Sequence, residues 1–122
     1  MCGIFGFVSK NKIKPTPVIL DGLKRLEYRG YDSSGIAVLT KRGVYCKKKS
    51  GRIFELEKIT SHNIESSTAI GHTRWATHGQ PTDKNSHPHY DCRKKIFLVH
   101  NGIIENFKDL KGKLLKKGHK FS

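Results

Sequence analysis

A cysteine at position two, followed at once by an apolar segment, is the feature that most restricts how this chain can fold. Residues 2–8 are apolar apart from two glycines and predict a short buried strand. A terminus that enters a sheet directly is held in place instead of fraying. Cysteine is small enough for removal of Met1 to be expected, which leaves Cys2 with a thiol and a free α-amino group. An α-amino group titrates at about 7.7–8.0, so it can act as a general base for its own side chain.

Helix and strand signals alternate along the next part of the chain. Pro15 and Pro17 open a predicted helix that places Ile19, Leu23 and Leu26 on one face and ends at Gly30. Residues 34–39 and 44–48 then predict a hairpin with its turn at 41–43, residues 53–59 a short helix, and residues 68–74 another strand.

The carboxyl-terminal third predicts a long loop, a strand and a helix. The stretch 76–91 is rich in His, Gly, Pro, Asn and Asp, and polar loops of this length in compact domains are usually functional or disordered. Residues 96–99 predict an apolar strand, and residues 104–117 a helix capped by Gly118. The predicted apolar face of that helix comprises Ile103, Phe107, Leu110 and Leu114. Residues 119–122 look like the start of a further strand, so we expect a truncated domain.

Composition leaves two interpretations of the charge open. The chain carries 24 Lys and Arg against 10 Asp and Glu, a net charge of +14. The lysines are dispersed and form no basic stripe with interleaved aromatic residues, which favours a solvated surface, or a fragment lacking an acidic remainder, over a nucleic-acid-binding module.

The same composition bears on compartment. No apolar run approaches the roughly 18 residues that a membrane helix needs, and no signal peptide is recognisable. Three cysteines without paired spacing favour a reducing compartment, and we expect a soluble cytoplasmic protein.

Two polar groupings suggest sites, and each has a structural alternative. His87, His89 and Cys92 form an H-x-H-x-x-C pattern near His72 and His78, but zinc sites usually repeat paired spacings, so we expect no metal. Asn101-Gly102 follows the apolar strand and offers a side-chain amide and an unhindered backbone N–H, the donors of an oxyanion hole. A tight turn is the alternative for that pair.

Five segments in one order resemble a known family: MCGIFGFV, LKRLEYRGYDSSGIAV, GHTRWATHGQPT, NSHPH and VHNGIIEN. They are similar to the glutaminase half of the glutamine–fructose-6-phosphate aminotransferases, which belong to the class II glutamine amidotransferases. The resemblance implies an α+β fold, the αββα sandwich of the N-terminal nucleophile hydrolases. It further implies that residues 1–122 are a single partial domain, without the sugar isomerase domains and with an exposed sheet edge and uncovered apolar faces.

The resemblance also implies roles for individual residues. Cys2 would attack the glutamine carboxamide, forming a γ-glutamyl thioester and releasing ammonia, while Asn101 and Gly102 hold the oxyanion. The remaining residues would bind or enclose the substrate: Arg74 at the α-carboxylate, Trp75, Thr77 and His78 in the closing loop, Arg29 beside the amino terminus, and His87 in the neighbouring loop. Without the resemblance, a helix-end cation would be the preferred interpretation of Arg29, and a core aromatic that of Trp75.

Partners follow from the same resemblance. Glutamine would be the substrate, with no cofactor, no nucleic acid and no membrane. Ammonia would convert fructose 6-phosphate to glucosamine 6-phosphate only with the missing isomerase region, in an enzyme expected to be a homodimer. The family's aspartate for the substrate α-amino group would lie beyond residue 122. A catalytically inactive fragment with an interaction or regulatory role is the main alternative.

Overall fold

The computed structural model describes residues 1–122. Six strands and three helices follow one another with a short 3-10 turn after the first helix. In chain order they are β1 (Gly3–Ile13), α1 (Pro15–Arg25), the 3-10 turn (Glu27–Arg29), β2 (Ser33–Thr40), β3 (Gly43–Ser50), α2 (Ile53–Ile59), β4 (Ser66–Arg74), β5 (His89–Tyr90), β6 (Phe97–Leu98) and α3 (Phe107–Lys116).

The main sheet has four antiparallel strands in the order β1-β4-β2-β3, so β4 and β2 are central. Side chains alternate between its two faces. One face packs against α1 and α2, and the buried core forms there. Its members are Ile19, Leu20 and Leu23 from α1, Ile53 and Leu56 from α2, and Ile36, Val38 and Ala69 from the sheet.

The opposite face of the sheet is only partly covered. At Gly35 on β2, the loop before β5 comes so close that an added Cβ would lie 2.1 Å from the His87 carbonyl oxygen. Glycine is therefore required there for steric reasons. The two-stranded ribbon of β5 and β6 lies on the same side, where Phe97 shares a small cavity with Ala37 and Ile70. The layers are thus helices, a four-stranded sheet and a short ribbon.

Most predicted elements in the first two thirds of the chain are confirmed. The helix over 53–59 is observed with the predicted bounds, and the hairpin turns at 41–42. The helix predicted to end at Gly30 is α-helical only to Arg25 and continues as the 3-10 turn. The short buried strand predicted over residues 2–8 is observed as β1, but its predicted length and burial are wrong: β1 runs to Ile13, and Val8 is 81% exposed. Side chains alternate along β1, so Phe5 and Phe7 pack against the core on the helix side, whereas Ile4 and Val8 lie on the face that is only partly covered.

The last part of the chain differs most from its prediction. The apolar strand shrinks to Phe97–Leu98, and residues 119–122 form no strand. The helix α3 forms and ends at Lys116, and Gly118, two residues later, has the φ of +86° that suits a helix-terminating glycine. The predicted apolar face of this helix is uncovered, in agreement with the uncovered apolar faces expected of this chain: Ile103, Phe107, Leu110 and Leu114 are 38–63% exposed. The amphipathic pattern dictated the helix, but no neighbouring element covers it.

None of the helices is both long and apolar enough to span a bilayer.

Candidate active site

A cavity of about 620 Å³ lies where β1 begins and β4 ends. Antiparallel pairing brings these two strand ends to the same edge of the sheet, so residues far apart in sequence meet there. All nine residues singled out from the sequence line this one cavity: Cys2, Arg29, Arg74, Trp75, Thr77, His78, His87, Asn101 and Gly102.

Cys2 lines the cavity and is half-buried, and the strand that follows it is anchored at once. Gly3 pairs with Thr73 across the sheet, and the Gly3 N–H donates to Thr73 Oγ1 at 3.1 Å. The Cys2 Sγ accepts the backbone N–H of Trp75 at 3.3 Å. The thiol is therefore fixed against the end of β4 while its other side faces the cavity.

Asn101 is joined to Cys2 by a hydrogen bond, although the two residues are 99 positions apart in sequence. The Asn101 Nδ2 donates to the Cys2 carbonyl oxygen at 3.0 Å. The Asn101 Oδ1 lies 2.8 Å from Nε2 of His72. A carboxamide nitrogen has two N–H groups, so one remains to serve a ligand in the cavity.

The backbone before Gly102 is held by the loop that carries His87. The His100 N–H donates to His87 Nδ1 at 3.3 Å. Gly102 has a φ of +154°, and a Cβ there would lie 2.8 Å from His100 Nε2. Glycine leaves its backbone open at this point of the cavity wall.

Arg74 is buried and is largely committed to the loop that follows it. Its Nη1 donates to the Gln80 carbonyl at 3.0 Å, and its Nη2 donates to the carbonyls of His78 and Gly79. Three of the five guanidinium N–H donors are thus used in shaping the loop. Arg74 also lines the cavity, so its two remaining N–H donors are the ones available to an anionic ligand group.

The residues after Arg74 form the exposed rim of the cavity. Trp75 packs edge-on against Tyr31, with ring centroids 5.8 Å apart. Thr77 and His78 are exposed, and Thr77 Oγ1 lies 3.2 Å from His78 Nδ1. Across the rim, the Arg29 guanidinium reaches Met1 Sδ at 3.8 Å.

Three histidine rings contact one another at the cavity: His87 is stacked on His72 and meets His89 edge-on. The His72 and His87 ring centroids are 4.2 Å apart, and those of His87 and His89 are 4.3 Å apart. Burial lowers the pKa of His72 to about 4 and that of His87 to about 3, and also lowers the pKa of His89. Neutral rings can accept or donate single hydrogen bonds without adding charge to the cavity.

This stack does not form a metal centre. Within the chain, no group of three or more His, Cys, Asp or Glu side chains is placed to hold a metal ion. Cys92 lies apart from the stack, beside His119, with Sγ 3.5 Å from Nδ1.

His72 is a site residue that the sequence analysis did not single out as such. It precedes Arg74 by two positions on a strand, and strand periodicity places both side chains on the same face. This alternation is the sequence signal that could have identified His72 as a site residue. Asn85, His89 and His100 also line the cavity, and Asp32 supports its rim by accepting the Ala76 N–H at 2.8 Å.

Two solved structures share this architecture. A glutamine phosphoribosylpyrophosphate amidotransferase from B. subtilis, complexed with ADP and GMP, superposes with a TM-score of 0.77 at 25% sequence identity. An allosteric regulatory enzyme of purine biosynthesis superposes with a TM-score of 0.79 at 26% identity. Each covers 100% of this chain, which matches 26% of either structure. The fold is that of the N-terminal nucleophile amidotransferases, which confirms the predicted fold class.

Sequence relatives point to the same group of proteins. Glutamine–fructose-6-phosphate aminotransferases (isomerizing) from Pyrococcus horikoshii and Thermococcus kodakarensis are each 55% identical over 122 residues, and the one from Fusobacterium nucleatum is 51% identical over 123. This chain spans 20% of the length of these relatives. The glutamine amidotransferase domain matches residues 58–122, more than half of the chain. With its fold, its cavity and this match in agreement, the chain belongs to the glutamine amidotransferase domain family.

Proposed function

We propose that this chain hydrolyses the side-chain amide of glutamine, with Cys2 Sγ as the nucleophile. The observation that carries the proposal is the hydrogen bond from Asn101 Nδ2 to the Cys2 carbonyl oxygen. It holds the second N–H of this amide in the same cavity as the Cys2 thiol. A nucleophile beside an oxyanion donor is the minimal arrangement for acyl transfer.

The proposed reaction begins with removal of Met1, which lines the cavity and blocks the Cys2 amino group. The freed α-amine takes the thiol proton, and the thiolate attacks the glutamine Cδ. The oxyanion that forms accepts hydrogen bonds from Asn101 Nδ2 and the Gly102 N–H. As the tetrahedral intermediate collapses, the C–N bond breaks and ammonia leaves with the proton from the α-ammonium. Water then cleaves the γ-glutamyl thioester to release glutamate.

Substrate binding is assigned to the residues around Cys2. Arg74 would pair with the α-carboxylate of glutamine through its remaining N–H donors, from a guanidinium already fixed by the loop carbonyls. Trp75, Thr77 and His78 would close over the bound substrate, and Arg29 would orient the amino terminus once Met1 is absent. His87 holds the oxyanion segment through the His100 N–H. No Asp or Glu lines the cavity, so the substrate ammonium group finds no carboxylate there.

The wider context is inferred from the names of the relatives. We propose that residues 1–122 correspond to the amino-terminal portion of a glutaminase domain, and that its ammonia serves the conversion of fructose 6-phosphate to glucosamine 6-phosphate. That amination, and a homodimeric assembly, would require regions outside this chain. Three cysteines, none in a disulfide, support a reducing compartment such as the cytoplasm.

The experiment that tests the proposal is labelling of the purified chain by a chloroketone analogue of glutamine, read by intact mass spectrometry. We expect loss of Met1, a single adduct on Cys2, and protection by free glutamine. Cys2→Ala should abolish the adduct and lower hydrolysis by roughly a thousandfold or more, as loss of a nucleophile does in other enzymes.

The other two cysteines provide matched controls. Cys46 and Cys92 lie outside the cavity that holds Cys2. Cys46→Ala and Cys92→Ala should therefore label like the unmodified chain. Persistent labelling in Cys2→Ala, or a retained Met1 without glutamine-protected labelling, would refute the proposal and favour an inactive fragment.

A further inference from the structure

We infer that His72 is the positioning residue that keeps the Asn101 carboxamide turned with its nitrogen toward Cys2. The inference rests on the proposed glutamine hydrolysis. It assigns to a buried side chain of the central sheet the task of orienting an oxyanion donor that lies on an exposed loop.

The two ends of the Asn101 carboxamide have separate partners. Its oxygen lies 2.8 Å from His72 Nε2, and its nitrogen lies 3.0 Å from the Cys2 carbonyl oxygen. The Cys2 carbonyl can only accept, so the group facing it must be the Nδ2 donor. The group facing His72 is then the oxygen, which can only accept, so His72 must donate from Nε2.

The orientation matters because a carboxamide has nearly the same shape when it is turned over. In the reversed orientation, Oδ1 would meet the Cys2 carbonyl, and two acceptors would repel. It would also present an oxygen, in place of an N–H, to the negative charge that develops on the substrate. Reversal would thus convert an oxyanion donor into a source of repulsion.

Asn101 has little local structure to fix it. It belongs to no helix or strand and is exposed. His72, by contrast, is 0% exposed on the central strand β4, where it pairs with Ile4 on one side and Gly35 on the other. Its ring is stacked on His87 with an interplanar angle of 24°. A rigid donor in the sheet therefore orients an acceptor on the loop.

The protonation of His72 fits this task. Burial lowers its pKa to about 4, so near neutral pH the ring carries a single proton. Its Nδ1 is buried without a hydrogen-bond partner. The proton at Nε2 thus satisfies Asn101, and the unpaired Nδ1 is the cost of keeping the ring in this tautomer.

Two substitutions distinguish the contribution of the His72 N–H donor from that of its aromatic ring. His72→Phe keeps an aromatic ring to stack on His87 but has no N–H. His72→Gln loses the ring but places an amide nitrogen at a reach similar to that of Nε2. We expect His72→Phe to lower kcat for glutamine hydrolysis by roughly 10- to 100-fold with little change in KM, because misplacing one oxyanion donor affects the transition state. His72→Gln should recover most of kcat.

A second reagent tests whether the nucleophile is intact. Iodoacetamide alkylates Cys2 without needing an oxyanion donor, so its rate with His72→Phe should match that of the unmodified chain. Equal kcat in His72→Phe and the unmodified chain would overturn the inference. A change in KM alone, or a His72→Gln variant as slow as His72→Phe, would do the same.

The outcome for the unmodified chain separates this inference from the function on which it rests. If the unmodified chain hydrolyses no glutamine, the proposed function fails, and the role of His72 fails with it. If neither variant folds, nitrogen-15 NMR of the unmodified chain decides: a His72 ring protonated at Nε2 and bare at Nδ1 supports the inference. The opposite tautomer overturns it.

Discussion

Mild acid is expected to destabilise this fold, and His72 accounts for a defined part of the loss. Burial holds the folded-state pKa of His72 at about 4, whereas a histidine in an unfolded chain titrates at about 6.5. Between these values the unfolded chain binds a proton that the folded chain does not. The contribution is therefore fully present above about pH 6.5 and is lost as the pH falls toward about 4.

The magnitude follows from the two pKa values. At about pH 5 the unfolded His72 is almost fully protonated and the folded His72 is not, which lowers the free energy of unfolding by roughly 2 kcal/mol relative to about pH 7. The full difference, reached below about pH 4, is roughly 3 kcal/mol. His87 and His89, whose pKa values are also lowered chiefly by burial, add to the loss in the same direction.

Urea unfolding followed by circular dichroism at the two pH values measures this difference. His72→Phe removes the titrating group. Between about pH 7 and about pH 5, the free energy of unfolding of this variant should therefore fall by about 2 kcal/mol less than that of the unmodified chain. His62 is an exposed histidine outside the cavity, and His62→Phe serves as the control that retains the dependence of the unmodified chain. An identical pH dependence in His72→Phe and the unmodified chain would refute the reasoning.

Two further substitutions test the contacts that shape the cavity. Gly35→Ala would place a Cβ 2.1 Å from the His87 carbonyl oxygen and should lower the free energy of unfolding by about 2–4 kcal/mol. In the control Gly6→Ala, the added Cβ has nothing within 4 Å and should cost under about 1 kcal/mol. Equal losses in urea titrations of the two variants would contradict this. Arg74→Lys removes the guanidinium that holds the Gln80 carbonyl, so amide hydrogen exchange at residues 76–80 should accelerate and KM for glutamine should rise. Unchanged exchange would contradict the role of Arg74 in shaping this loop.

Sequence patterns were sufficient for elements that depend on local periodicity. The helix over 53–59 and the hairpin after Ser33 follow from apolar spacing and turn residues, and both are observed. The strand after Cys2 was also predicted, because apolar residues directly after a terminus need a sheet to cover them. The exposure of Ile4 and Val8 does not follow from the sequence, because only the tertiary structure shows that the helices cover one face of the sheet and leave the other partly open.

The helix α3 illustrates the opposite limit. Its apolar spacing predicts an amphipathic helix, and the helix forms, but the side chains on its apolar face are exposed. Periodicity reports which residues share a face. Whether another element covers that face depends on tertiary contacts, which the local pattern does not contain.

The same distinction applies to Cys2 and its surroundings. The sequence by itself determined the chemical groups: a nucleophile at position two, an Asn-Gly pair, and the Arg74 segment that the family resemblance singled out. Only the tertiary structure decided that these groups meet, because antiparallel pairing of β1 with β4 brings their ends to one edge. It alone revealed His72 as the partner of Asn101, since a hydrogen bond across 29 residues requires the sheet and the loop to be packed together.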